Sequence, residues 1–314
     1  TVDTASTLLT LEQQVQTLTH QIQRQQPLFS IYATGEPAPL AQIQSQLQDR
    51  LLLQYYIAQG AVWVFVIDHS GLLAHHQLAR LADVEQARQG LTSAIEQTLE
   101  LSVRFGLARS TRYLPTLLAT AQQHLQQLYQ FLIHPLQATL MRTQSLVIVP
   151  DQTLHYIPFH ALYDGTRYLL EHYTLSYTPS ATILDLCLAT TAQGQGALLC
   201  GYDNHKLAAV ATELAMVQQL VPTAHLLIGE RCSAEQFLQV AAQYRLIHLA
   251  THAKFRMDQP LLSSLALADR QLTLAEIARL QLNADLVILS GCETGHGQLR
   301  GADLLSLAGG FLSA

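Results

Sequence analysis

A histidine and a cysteine each stand where an apolar run gives out, and those two residue types suffice for thiol chemistry. The first run, Leu246-Ile247-His248-Leu249-Ala250-Thr251, is followed by His252-Ala253. The second, Leu286-Val287-Ile288-Leu289-Ser290, is followed by Gly291-Cys292-Glu293-Thr294-Gly295. A thiolate is a strong nucleophile, and imidazole is the side chain whose ordinary pKa suits it to take a thiol proton near neutrality. In that chemistry His252 accepts the proton of Cys292 and later protonates the leaving amine. Backbone N–H groups of Ala253 and Cys292 could receive the oxyanion that forms in between. A lone histidine or cysteine is more often a packed residue. Gly291, Gly295 and Gly297 around Cys292 argue for the functional reading, because a glycine-rich turn leaves the side chain unshielded.

Both runs read as short buried strands. In a parallel α/β sheet the carboxyl ends of the strands open on one edge, and ligands bind in the crevice there, so His252 and Cys292 are expected to meet at that edge. A helical pattern over 302–312 follows the cysteine, and a helix that points its N-terminus at a thiolate helps to keep it ionised. His248 lies four residues before His252. On a helix that spacing would suit a metal pair, but on a strand it puts the two rings on one face and well apart, so His248 is assigned to packing. No residue offers itself as an orienter of His252.

Upstream, apolar residues at helical spacing over 8–26 end at Pro27, and 41–54 reads as a second helix. Ala61–Ile67 and Leu72–Leu78 flank the turn chemistry of Asp68-His69-Ser70-Gly71 and predict a hairpin. From Val84 to Met141 the pattern is helical with a break around 109–115, and Leu117, Ala121, Leu125, Leu128 and Leu132 form an apolar stripe. At Ser145-Leu146-Val147-Ile148-Val149-Pro150 the regime changes. Strands at 197–201 and 224–228 now alternate with helices at 207–220 and 233–243, which predicts a mostly parallel sheet flanked by helices. A boundary near 143 follows, with a mainly helical region carrying a β-hairpin over 1–143 and an α/β domain over 144–314.

Composition excludes several classes. The net charge is −6 and Lys and Arg form no basic run, so no nucleic-acid footprint is present. No apolar stretch is long enough to span a membrane. The four cysteines stand at 187, 200, 232 and 292 without a short paired spacing, so no zinc or redox motif is written and a reduced, cytoplasmic setting is expected. No metal or cofactor is expected. The first residues lack the charged and apolar blocks of a signal peptide, and the absence of an initiator Met suggests a piece of a longer chain.

From about Ser145 onward the chain resembles a CHAT domain, a branch of the caspase-like cysteine peptidases that includes separase. The matching segments are Leu146-Val147-Ile148-Val149-Pro150-Asp151 with Leu154-His155-Tyr156-Ile157-Pro158-Phe159; Tyr177-Thr178-Pro179-Ser180; Ile247-His248-Leu249-Ala250-Thr251-His252; Pro260-Leu261-Leu262-Ser263-Ser264-Leu265; and Leu289-Ser290-Gly291-Cys292-Glu293-Thr294-Gly295. Residues 8–143 resemble the stretch that often precedes such a domain. The resemblance implies a caspase-like endopeptidase with His252 as base and Cys292 as nucleophile. It implies that Ser290 lines the pocket for the residue before the cut and that Asp151 sits where relatives place pocket-lining polar residues, although Asp151 in a Pro-Asp turn also suits plain turn chemistry, and Glu293 suits a pocket rim and a surface charge equally. The implied partners are a protein substrate and an activating protein or a fused tetratricopeptide-repeat region. Relatives usually carry Gly where this chain has Ala253. They also continue past the point where this chain stops, with a strand and helix that complete the sheet, so the C-terminal part of the domain is expected to be missing. The alternative is a non-catalytic scaffold of the same fold. Two weaker readings are a nucleotide site at Gly295-His296-Gly297 and Gly301, and a metal hydrolase using His248, His252 and Cys292.

Overall fold

In the computed structural model, which describes residues 38–105, 113–203, 207–254, 256, 262–290 and 302–314, alternate side chains along each buried strand enter different cores. Cys292 and Glu293 lie outside the described residues, as do the expected helix over 8–26 and the glycines of the weaker nucleotide reading. Residues Ala38–Asp185 form one compact unit, and Leu186–Ala314 are the described part of the other.

The first unit opens with helix α1 (Leu40–Leu47), which gives way at Gln48, a residue with φ of 54°. Strands β1 (Leu51–Ala58), β2 (Ala61–Asp68) and β3 (Gly71–Arg80) follow, then helices α2 (Leu81–Phe105), α3 (Leu114–Leu132) and α4 (Gln137–Leu140), strands β4 (Ser145–Val149) and β5 (Thr174–Tyr177), and helix α5 (Ala181–Ala189), inside which the division falls. The sheet order is β3-β2-β1-β4-β5, antiparallel through β3, β2 and β1 and parallel from β1 to β5. The β1–β2 turn holds Gln59 and Gly60 at φ of 51° and 74°, the paired left-handed geometry that matches strand twist in a two-residue hairpin. At the β2–β3 turn Asp68 Oδ1 accepts from the N–H of Ser70 and of Gly71.

Along β1, Leu51, Leu53 and Tyr55 pack with Val84, Leu91, Leu125, Leu128 and Leu132 of α2 and α3. Leu52 faces the other way and joins Val147, Val149, Ile43 and Leu47. The hairpin, the two long helices and most of the apolar stripe are as the sequence predicts, with Leu125, Leu128 and Leu132 buried. The expected helix over 41–54 is corrected to a short helix followed by a strand, because Leu51-Leu52-Leu53 must serve two cores at once. β4, read from the sequence as the opening of the second domain, pairs in parallel with β1 and contributes Leu146 and Ile148 to the same core as the long helices.

The second unit carries β6 (Ala197–Tyr202), α6 (Leu207–Leu220), β7 (His225–Ile228), α7 (Ala234–Val240), β8 (Leu246–Thr251), β9 (Ala253–Lys254), β10 (Ser264–Ala266), β11 (Gln271–Thr273), α8 (Leu274–Ile277), β12 (Leu286–Ser290) and α9 (Ala302–Ser313). Strands β12-β8-β6-β7 form a wholly parallel sheet, and β11-β10-β9 form a small antiparallel one. On one face of the parallel sheet Leu198, Cys200, Ile247 and Leu249 pack with Phe237, Leu265, Leu272, Ile277, Leu307 and Phe311. On the other, Leu199 and Ala250 pack with Val210, Leu214 and Val217 of α6. Gly201 on that face makes the packing possible. A Cβ there would lie 2.4 Å from Leu214 Cδ1 and 2.6 Å from Val210 Cγ1, well inside contact distance. Ser233 caps α7 by accepting from the N–H of Gln236, which explains the start of the expected 233–243 helix.

Candidate active site

Parallel pairing brings the carboxyl ends of three strands of the second unit level with one another. Tyr202 pairs with Thr251, and Ser290 pairs with Ala250. The next residues out from β6 and β8 are Asp203 and His252, and β12 ends at Ser290, two positions before Cys292 in the sequence. This is the edge at which open α/β sheets hold their ligands.

His252 sits at a joint between the two sheets. Its strand ends at Thr251, and β9 resumes at Ala253 in the antiparallel sheet. Ala266 of β10 holds the joint: its N–H donates to the His252 carbonyl at 2.8 Å, and its carbonyl accepts the hydroxyl of Thr251. The ring is therefore presented by a backbone fixed on both sides. The His252 side chain is 45% exposed, while the Asp203 side chain beside it is 9% exposed, and His252 Nε2 lies 3.2 Å from Asp203 Oδ1. A reachable imidazole thus leans on a nearly buried carboxylate.

The same pairing orients Ala253. Since the Ala266 N–H reaches the His252 carbonyl, Ala253 and Leu265 face each other as a non-hydrogen-bonded pair. The N–H of Ala253 accordingly points away from β10, and β9 is the edge strand of its sheet. Ser290, half-buried, closes β12 beside Ala250, two residues before His252 along the chain. Asp151 belongs to the other unit, where its Oδ2 accepts from the Ile57 N–H at 2.8 Å and so ties the β4 exit to β1.

His248 faces α6, as the packing assignment expects. It is buried, with Nε2 2.8 Å from Glu213 Oε1, and its Nδ1 is enclosed with no hydrogen-bond partner among the described residues. No group of three or more His, Cys, Asp or Glu side chains among the described residues could hold a metal ion.

Two of the described thiols, Cys200 and Cys187, are unsuited to nucleophilic work. A hydrogen bond with Cys232 and then burial push the Cys200 thiol well up, and burial pushes up that of Cys187. A raised pKa means less thiolate at neutral pH, and the thiolate is the reactive form.

The CHAT domain family model matches residues 122–314, more than half of the chain. The chain belongs to the CHAT domain family. That family is caspase-like, and the mixed α/β architecture with its parallel sheet is consistent with a caspase-like fold. No curated protein matches the chain. No helix among the described residues of this CHAT protein is long and apolar enough to cross a membrane.

Sequence reasoning missed Asp203. The signal was present, since Tyr202-Asp203 ends the 197–201 run just as Thr251-His252 ends the next. The rule that selected His252, a polar residue at the carboxyl end of a parallel strand, selects Asp203 equally.

Proposed function

We propose that this CHAT domain is a cysteine endopeptidase in which His252 is the general base and Cys292 the nucleophile. The observation that carries the reading is the half-exposed imidazole of His252, fixed at the carboxyl edge of a parallel sheet whose neighbouring strand ends at Ser290, two positions before Cys292 in the sequence. In the first half of the reaction His252 takes the thiol proton, sulfur adds to the peptide carbonyl, and the oxyanion lies against the N–H groups of Ala253 and Cys292. The imidazolium then gives its proton to the leaving amine, and the acyl-sulfur bond remains. In the second half His252 takes a proton from water, hydroxide adds to the thioester, and the thiolate leaves.

In this reading Ser290 lines the pocket for the residue before the cut and Glu293 stands at its rim, while Asp151 serves the fold through Ile57. The substrate is a protein, the reaction needs no cofactor, and an activating protein or attached repeat region governs it. The test is a comparison of new peptide N-termini made in a whole proteome by the native protein and by Cys292→Ala. A set of cuts that disappears in the variant is the expected result, and identical termini from both would refute the peptidase reading.

A further inference from the structure

Asp203 and His252 come from segments 49 residues apart, and the bond between them decides which ring nitrogen faces the substrate side. A carboxylate can only accept, so the nitrogen beside it must carry the hydrogen. In this pair that nitrogen is Nε2. A neutral imidazole has a single N–H, so Nδ1 is left with the lone pair. The carboxylate is nearly buried and the ring is half exposed, which makes Asp203 the fixed partner and His252 the one being aimed.

We propose that Asp203 positions His252 for catalysis by accepting its Nε2–H, so that Nδ1 is the atom that takes the proton of Cys292. The inference deepens the peptidase reading and rests on it for the identity of the proton donor. The proton moves from sulfur to Nδ1, the positive charge of the resulting imidazolium is shared toward Nε2–H and Asp203, and the carboxylate itself stays ionised. When Nδ1 releases the proton to the leaving amine, the ring returns to its starting tautomer without turning over. Held in place by Gly201, which lets α6 close against β6, the segment bearing Asp203 has a fixed floor.

The alternative, in which Nε2 is the base, requires Nδ1 to carry the hydrogen. Nε2 and the carboxylate would then face each other as two acceptors within hydrogen-bond distance, and the nearly buried carboxylate would lose a donor that water cannot readily replace.

The test uses the whole chain labelled with 15N-histidine, with the His252 signals assigned through His252→Gln. The expected spectrum shows His252 as the Nε2–H tautomer, and Asp203→Ala converts it to a mixture of the two. In the same variant alkylation of Cys292 by iodoacetamide slows by about tenfold or more, because the base is no longer aimed. Asp203→Glu recovers part of the rate. If Asp203→Ala does not fold, the near-isosteric Asp203→Asn takes its place, and the same loss of tautomer purity and rate is expected. An Nδ1–H tautomer in the native protein overturns the proposal, as does an unchanged alkylation rate in a folded Asp203 variant. The tautomer is read without substrate, so it answers for Asp203 even if the proteome comparison refutes the peptidase reading.

Discussion

Strand β8 and the residue that follows it carry two histidines, each against a carboxylate, and the two pairs are built in opposite ways. His248 is 6% exposed and reaches Glu213 on α6, whereas His252 is 45% exposed and reaches Asp203 at the end of β6. In the first pair the ring is buried and the carboxylate is the more open member, with 36% of its side chain exposed. In the second pair the order is reversed. A buried ring tied to an open acid fastens a helix to a sheet. An open ring tied to a buried acid presents a base. Three residues, Leu249, Ala250 and Thr251, separate the two rings, and what changes between them is depth below the sheet edge.

The contrast is broken most directly by removing each ring. His252→Ala is expected to lower peptide hydrolysis by about 10²–10⁴-fold, the usual contribution of a positioned acid–base group, while His248→Ala leaves the rate per folded molecule within a few-fold. Equal losses in steady-state assays of the two variants would show that the pairs are not distinct in role. Stability should give the opposite ranking. His248→Ala opens a cavity under α6 and is expected to lose about 2–4 kcal/mol, whereas His252→Ala loses under about 1 kcal/mol, as read from urea midpoints.

A third measurement presses on the floor that both pairs share. Gly201→Ala puts a methyl into Leu214 and Val210 and is expected to cost about 1–3 kcal/mol through overpacking. Because α6 carries Glu213 and follows the segment of Asp203, this variant should also slow alkylation of Cys292; full stability with full reactivity would show that α6 tolerates displacement.

The smallest effect comes from a third histidine–carboxylate pair in the other unit. His172 Nε2 lies 2.9 Å from Asp164 Oδ2, and hydrogen bonds from Thr166, Arg167 and His172 outweigh the opposing effect of burial, so that the Asp164 carboxyl is held far below its ordinary value. A depressed carboxyl stabilises the fold above its unfolded pKa and loses that contribution as pH falls toward its folded value. Asp164→Asn is therefore expected to cost up to about 1 kcal/mol at pH 7, with the difference from the native protein shrinking below about pH 4. A gap that persists at acid pH in chemical denaturation would mean that hydrogen bonds, and not charge, hold this loop.

Much of the second unit was legible because its elements are local and strongly patterned. The 207–220 helix, the strands around 197–201 and 246–251 and the run to Ser290 all read directly from apolar periodicity, as did His252 from its place at a strand end. β1 was not legible. Leu51-Leu52-Leu53 fits neither a two-residue nor a helical period, since both faces of that strand are buried, and its parallel partner β4 lies more than ninety residues away. Asp203 was legible as a strand-end residue, but its pairing with His252 was hidden for a related reason. Its partner is set by the lateral order of β6 beside β8, and no local pattern encodes that order.

The uniform direction of β12, β8, β6 and β7 has a consequence for how such a domain can diversify. Apart from the joint at His252, which β10 holds, the segments leaving the carboxyl edge are connections whose length the ladder beneath them does not set. Recognition can therefore be rewritten in those connections while the bearings of the imidazole stay untouched, and a library confined to them would sample new preferences without risking collapse of the scaffold.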